Sequence, residues 1–101
     1  MANDGIVVII SNIDMTNYKQ LNKPNVITRG FVLVNDNQEI IQKIETISGN
    51  VINNVLKTKG GYTEIKSEII NKVINFVYEE TGRKPIILPI IMDVKNTVKS
   101  A

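Results

Sequence analysis

The chain has 101 residues, 43% of them hydrophobic and 22% charged, with a formal net charge of +2. That is the balance of one globular domain with room for a single modest core, and so small a charge gives no broad electrostatic grip on nucleic acid. Cysteine and histidine are both absent, which excludes disulfides, zinc ribbons, thiol nucleophiles and imidazole bases.

No apolar run approaches the roughly 20 residues that span a bilayer. The start, Met1-Ala2-Asn3-Asp4, lacks the basic residues and small-residue cleavage site of a secretory signal. A cytoplasmic protein, or a piece of one, is expected.

Asp4-Gly5 reads as a turn, and Ile6-Val7-Val8-Ile9-Ile10 as a strand apolar on both faces. Residues 11–25 are rich in Asn, Asp, Lys and Ser. Their first few prolong the strand and the rest read as a surface loop, in which Pro24 holds Lys23 extended. Residues 27–34, ITRGFVLV, read as a second strand, with Gly30 marking a bulge or the close approach of another backbone.

Asp36 and Glu39 have the spacing of a helix cap. Ile40, Ile44, Ile47, Val51 and Val55 then recur at helical spacing, which predicts a helix from Asn37 to Lys57, weakened in its interior by Gly49. Lys59-Gly60-Gly61-Tyr62 ends it, on the expectation that glycine supplies a left-handed turn. Thr63 is the expected cap of a second helix with Ile65, Ile69, Val73, Phe76 and Val77 on one side and Gly82 at its close. Pro85 forces extension, and residues 86–94, IILPIIMDV, read as a third strand. Pro89 lacks an N–H, so this strand lies at an edge or carries a bulge. Residues 95–101 read as a flexible tail.

The expected architecture is therefore an α/β domain of the α+β type. It is a three-stranded sheet with two antiparallel helices on one face, in the order β-β-α-α-β. The short connection between the helices makes them neighbours, and neighbouring helices share one side of a sheet.

Each strand is apolar on both of its faces. A small sheet with one wet side alternates apolar and polar residues, and this one does not. Two helices on one side leave the other bare, exposing on the order of several hundred Å² of apolar surface, a patch that marks a protein-binding site. Val8, Ile10, Ile90 and Met92 are the candidate interface residues on the sheet. Ile70, Ile74 and Tyr78, which widen the apolar arc of the second helix, are the candidates on the helix layer. The expected cover is another copy of the chain, or the rest of a longer one.

Catalytic and cofactor constellations are missing. The acidic residues, Asp4, Asp14, Asp36, Asp93 and six glutamates, are scattered, and neighbours such as Glu79 and Glu80 diverge by about 100° on a helix. There is neither a GxxxxGK[ST] loop nor a GxGxxG. Arg29-Gly30-Phe31 opens like the RNA-stacking motif of an RRM, but Leu33 and Asp36 stand where its further aromatics belong. A cluster of Lys57, Lys59, Lys66, Arg83 and Lys84 leaves an alternative reading, a free-standing RNA-binding module. A third reading, an enzyme acting through lysine or carboxylate alone, needs a deep pocket with a buried charge.

Three segments in register carry a family resemblance: Asp4-Gly5 with its strand, Arg29-Gly30-Phe31 in the second strand, and residues 78–94 with Thr81, Arg83, Lys84, Pro85 and Pro89. Together they resemble the C-terminal domain of ribonuclease J, a metallo-β-lactamase-type ribonuclease, over residues 4–94. Lys23-Pro24-Asn25 departs from the Gly-Pro common before that family's second strand. The resemblance implies a small α/β unit that supports subunit association. The parent it implies is a zinc-dependent enzyme with 5′-to-3′ exonuclease and endonuclease activity in RNA processing and decay. Its metal ligands belong to a catalytic region without counterpart here, so no catalytic, metal or cofactor residue is assigned in this chain. The motif residues Gly5, Arg29, Gly30, Phe31, Arg83, Pro85 and Pro89 are expected to be structural, and RNA to be reached only through the full enzyme. A homodimer, or docking on the catalytic domains of the parent, is the expected partnership, with no membrane involved.

Overall fold

The computed structural model describes residues 5–30 and 37–94. The expected cap at Asp36, residues 31–34 of the expected second strand with Phe31, and the expected tail lie outside the described residues. The elements in chain order are β1 (Ile6–Asp14), β2 (Lys19–Gln20), β3 (Asn25–Arg29), α1 (Asn37–Lys57), α2 (Tyr62–Thr81) and β4 (Ile86–Asp93).

β1 is the central strand and pairs with all three others. β4 lies parallel to it from Ile6↔Ile86 to Ile13↔Asp93. β3 lies antiparallel on its opposite edge, Ile6↔Arg29 to Ile10↔Asn25, and β2 continues along that edge at Ile13↔Gln20 and Asp14↔Lys19. The Leu21 amide donates to the Asn12 carbonyl at 2.9 Å between these two stretches. Among the described residues the sheet is thus mixed and four-stranded, but three strands wide.

This corrects the expected three-strand count. β1 runs on to Asp14, and the Asp14 carboxylate organises the turn after it, accepting from the Thr16 amide at 2.9 Å and the Asn17 amide at 3.2 Å. Tyr18 completes the reversal in the left-handed region at φ 55°. A stretch expected as loop therefore makes a short hairpin, because an aspartate side chain substitutes for backbone acceptors in the turn.

The β-αα-β half of the chain covers one side of the sheet. Odd-numbered residues of β1 point to the helices, and Val7, Ile9 and Ile13 are fully buried there with Ile44, Ile52, Ile65, Ile69, Val73 and Val77. α1 and α2 are joined by four residues, and Val51 and Thr58 share a cleft with Lys72 and Glu64, so the helices run antiparallel. α2 packs on β4, and α1 on β2 and β3.

The two helix ends at the α1–α2 connection use different residues from those expected. After α1, the Gly60 amide bonds the Val55 carbonyl at 2.9 Å and the Lys59 amide bonds the Leu56 carbonyl at 3.0 Å. This is a Schellman closure with Lys59, not glycine, in the left-handed position at φ 59°. Gly60 is needed for space instead, since a Cβ there would sit 2.5 Å from Val55 Cγ1. The N-cap of α2 is the extended Gly61 with no side-chain cap, so Thr63 does not cap it. Gly82 closes α2 as expected, at φ 73°, with its amide on the Tyr78 carbonyl.

Gly49 lies inside α1 against the β2–β3 segment, its carbonyl accepting from Gln20 Nε2 at 3.4 Å. A Cβ at this position would meet Gln20 Oε1 and Pro24 Cδ at 3.6 Å, ordinary contact distance. Gly49→Ala is therefore expected to stabilise the chain by up to about 1 kcal/mol through helix propensity, read as a higher urea midpoint.

Candidate association surface

The side of the sheet away from the helices is built from even residues of β1 and β4 and odd residues of β3. In the observed register they form cross-strand rows: Arg29, Ile6 and Ile86; then Ile27, Val8 and Leu88; then Asn25, Ile10 and Ile90; then Asn12 and Met92. β-branched residues dominate the centre because they fit a pleated surface. No described element covers them. Ile86 is 57% exposed, Leu88 44%, Ile90 43% and Met92 46%.

The apolar block has a polar rim. Arg29 stands at one corner and Asn25 and Asn12 along the far side, where Asn12 Nδ2 donates to Asn22 Oδ1 at 3.2 Å. An uncharged apolar centre with polar residues at its margin, here on the β3 side and the far end, resembles the anatomy of a protein-binding patch.

Of the candidates named from sequence, Val8, Ile10, Ile90 and Met92 fall together on this open face. Ile70, Ile74 and Tyr78 do not join them. They lie in the helix layer, about 200° round α2 from the Glu68 and Lys72 flank that meets α1, and so on the β4 side. Ile70 and Tyr78 are exposed, Ile74 packs partly against the core, and Lys84 Nζ stands 4.9 Å from the Tyr78 ring centre. Ile86 and Leu88 were missing from the candidates although they share the parity of Ile90 and Met92. Ile27 joins the face only through its pairing with Val8, which no local pattern announces.

The family-motif residues that the structure describes lie at strand ends, within β4 and at the exit from α2. Gly5 and Gly30 both have positive φ, 90° and 67°, and a Cβ on Gly30 would lie 3.6 Å from Gly5 Cα. This is the close backbone approach expected of Gly30. The Thr81 hydroxyl donates to the Val77 carbonyl at 2.8 Å and accepts from the Arg83 amide at 3.0 Å, which shapes the exit from α2. Pro85 is buried at the start of β4, and Pro89 lies within it on the helix side.

At the far end of the sheet, Asp93 Oδ1 accepts from the Met15 amide at 3.2 Å and ties β4 to the hairpin turn. The adjoining Tyr62 phenol is held above its ordinary pKa, first by lost hydration and then by the Asp93 carboxylate.

Zinc does not fit this chain. It has no His or Cys, and among the described residues no three acidic side chains gather. An open trough of about 590 Å³ between α1 and residues 20–24 is lined largely by amides, including Gln20, Gln42, Asn50 and Asn53, with no buried charge in it. The lysine cluster is divided: Lys57 and Lys59 stand at the start of α2 and Arg83 and Lys84 at its end, about 30 Å apart along a 20-residue helix. No helix among the described residues is long and apolar enough to cross a membrane.

The sequence that folds into this two-helix-backed sheet matches a known class of domain. The family model of the ribonuclease J C-terminal domain matches residues 1–94, and the chain belongs to that family. It is 30% identical over 95 residues to Ribonuclease J2 of Bacillus subtilis (strain 168), covering 93% of this chain. It is 28% identical over 93 residues to Ribonuclease J 1 of Streptococcus pyogenes serotype M3, covering 91%, and 27% identical over 95 residues to Ribonuclease J 2 of Staphylococcus epidermidis, covering 93%. The chain spans 17% of the length of each of these relatives.

One pH dependence follows from the hairpin beside this face. The Asn17 side chain at 2.9 Å, then the Asn17 and Thr16 amides, hold the Asp14 carboxyl below its ordinary value. The unfolded chain therefore takes up the proton first as pH falls. The stabilisation from Asp14 is complete above about pH 5 and is lost as pH drops through the lowered folded value. Asp14→Asn is expected to lower stability at pH 7 and to flatten its fall between pH 5 and 2, as measured by urea midpoints.

Proposed function

We propose that this chain is the non-catalytic association domain of a ribonuclease J-type enzyme and works by burying its open sheet face against protein. The single observation that carries the reading is the uncovered apolar block centred on Val8, Ile10, Leu88 and Ile90. Burial of such surface contributes about 25 cal/mol per Å², so a partner laid across it gains stability that solvent cannot supply.

The occupant is a second copy of the domain or the catalytic domains of the parent chain. In either case the domain holds catalytic regions in place on RNA and supports the parent's 5′-to-3′ exonuclease and endonuclease activity in bacterial RNA processing and decay. The zinc and its ligands belong to the parent's catalytic region, and the setting is cytoplasmic. RNA contact runs through the whole enzyme. The division of the lysines between the two ends of α2 favours this reading over a free-standing RNA-binding module.

Sedimentation equilibrium of the chain, with and without Val8→Asp or Ile90→Asp, tests the proposal. The parent chain is expected to self-associate or to bind the parent's catalytic domains. Either charge should weaken that association at least tenfold, since a buried unpaired charge costs several kcal/mol. Indifference at both positions would count against the reading.

A further inference from the structure

We infer that Pro89 guards the unpaired edge of β4 against strand addition, so that the domain can present an apolar sheet face without polymerising along its edge. The inference stands on the edge and not on the face, and it holds whatever covers the face.

Among the described residues β4 is paired on one side only, and none of their strands lies along its other edge. The Ile86 amide donates to Gly5 and the Val94 amide to Ile13, at 2.9 and 2.8 Å. The period of two then sends the even-numbered amides of β4 to β1 and the odd-numbered ones, at positions 87, 89, 91 and 93, outward. Residue 89 is the proline. Its missing N–H costs the β1–β4 ladder nothing and falls in the middle of the free edge.

The surrounding sequence makes that placement consequential. Ile86–Met92, IILPIIM, is seven residues with no charge and high strand propensity. Apart from its central proline it has the makeup of a segment that stacks edge to edge into cross-β assemblies. Edges of this kind are commonly blunted by lysine, a bulge, a very short strand or a proline. β4 is eight residues long and carries neither a lysine nor any other charge before Asp93. Pro89 is the interruption it has.

The geometry shows how the interruption acts. A second β4 paired antiparallel about residue 89 would set the two rings opposite each other at a hydrogen-bonded site and lose both bonds of that pair. Any other register that keeps Pro89 within the ladder loses one bond from each copy, and the ring occupies the space of the missing hydrogen. The outward donors that remain consecutive are those of Ile91 and Asp93, too short a run to hold a strand.

The test is to restore the donor. Pro89→Val suits a strand, and Pro89→Ala does the same with a side chain smaller than the ring. Sedimentation velocity, light scattering and thioflavin fluorescence are compared with the parent chain at equal concentration, and circular dichroism checks the fold. At least one of the two variants is expected to keep the native spectrum and to gain large, thioflavin-positive assemblies that the parent lacks. Adding Ile91→Pro to Pro89→Val moves the gap to another outward position and should abolish them. The same series in a Val8→Asp background, with the charge on the central strand and not on the edge, separates edge from face: the charge removes face association, while the effect of Pro89 persists. The inference is overturned if natively folded variants stay as disperse as the parent. It is equally overturned if neither substitution folds, which would make the ring a requirement of the fold.

Discussion

Everything in this domain follows from a mismatch between its sheet and its helices. The central strand β1 is apolar on both faces over Ile6–Ile10, and β4 over Ile86–Met92, yet two helices can cover only one side of a sheet three strands wide. The helix side is sealed, with Val7, Ile9 and Ile13 at zero exposure against two antiparallel helices. The other side keeps the same kinds of residue half in water. A hydrophobic core is complete on one face of the sheet and missing its second layer on the other.

β1 is the strand on which this imbalance turns. It forms a parallel ladder with β4 and antiparallel ladders with β3 and β2, so every other strand reaches the sheet through it. A strand paired on both edges is fixed in its facing, and its even residues Ile6, Val8 and Ile10 present isoleucine and valine on the uncovered side. Gly5 and Gly30 meet at one end and the Asp93 link to Met15 closes the other, which fixes the register that assembles the open face. The chain belongs to the ribonuclease J C-terminal family, and its motif residues Gly5, Gly30 and Pro85 lie at the ends of strands.

An exposed apolar face and an unpaired edge invite different associations. Face packing buries side chains and saturates once the patch is covered. Edge pairing uses backbone groups and can repeat without limit. The chain leaves the first open and interrupts the second at Pro89, a residue whose position costs the internal ladder no hydrogen bond. The charged residues lie at the margins, in Arg29 at one corner of the face and Asp93 at the end of the edge.

Local pattern carried much of this by itself. The bounds of α1 were legible as Asn37–Lys57 because a long 3.6-residue period leaves little freedom, and the double-sided apolar strands announced a face that two helices could not cover. The edge position of the proline strand was one of the two placements that the missing N–H of Pro89 allowed. The extent of the hairpin was not, because it depends on Asp14 reaching two amides across a turn. Nor was the placing of Lys59 rather than a glycine in the left-handed turn, which follows from the Gly60 and Lys59 amides closing on the Val55 and Leu56 carbonyls. The separation of Ile70, Ile74 and Tyr78 from the sheet candidates, and the entry of Ile27 among them, required the order and register of the strands. The periodicity of a segment states which of its residues share a side. Only the packing of segments against one another determines which sides meet, and a surface drawn from three strands exists only once they are paired.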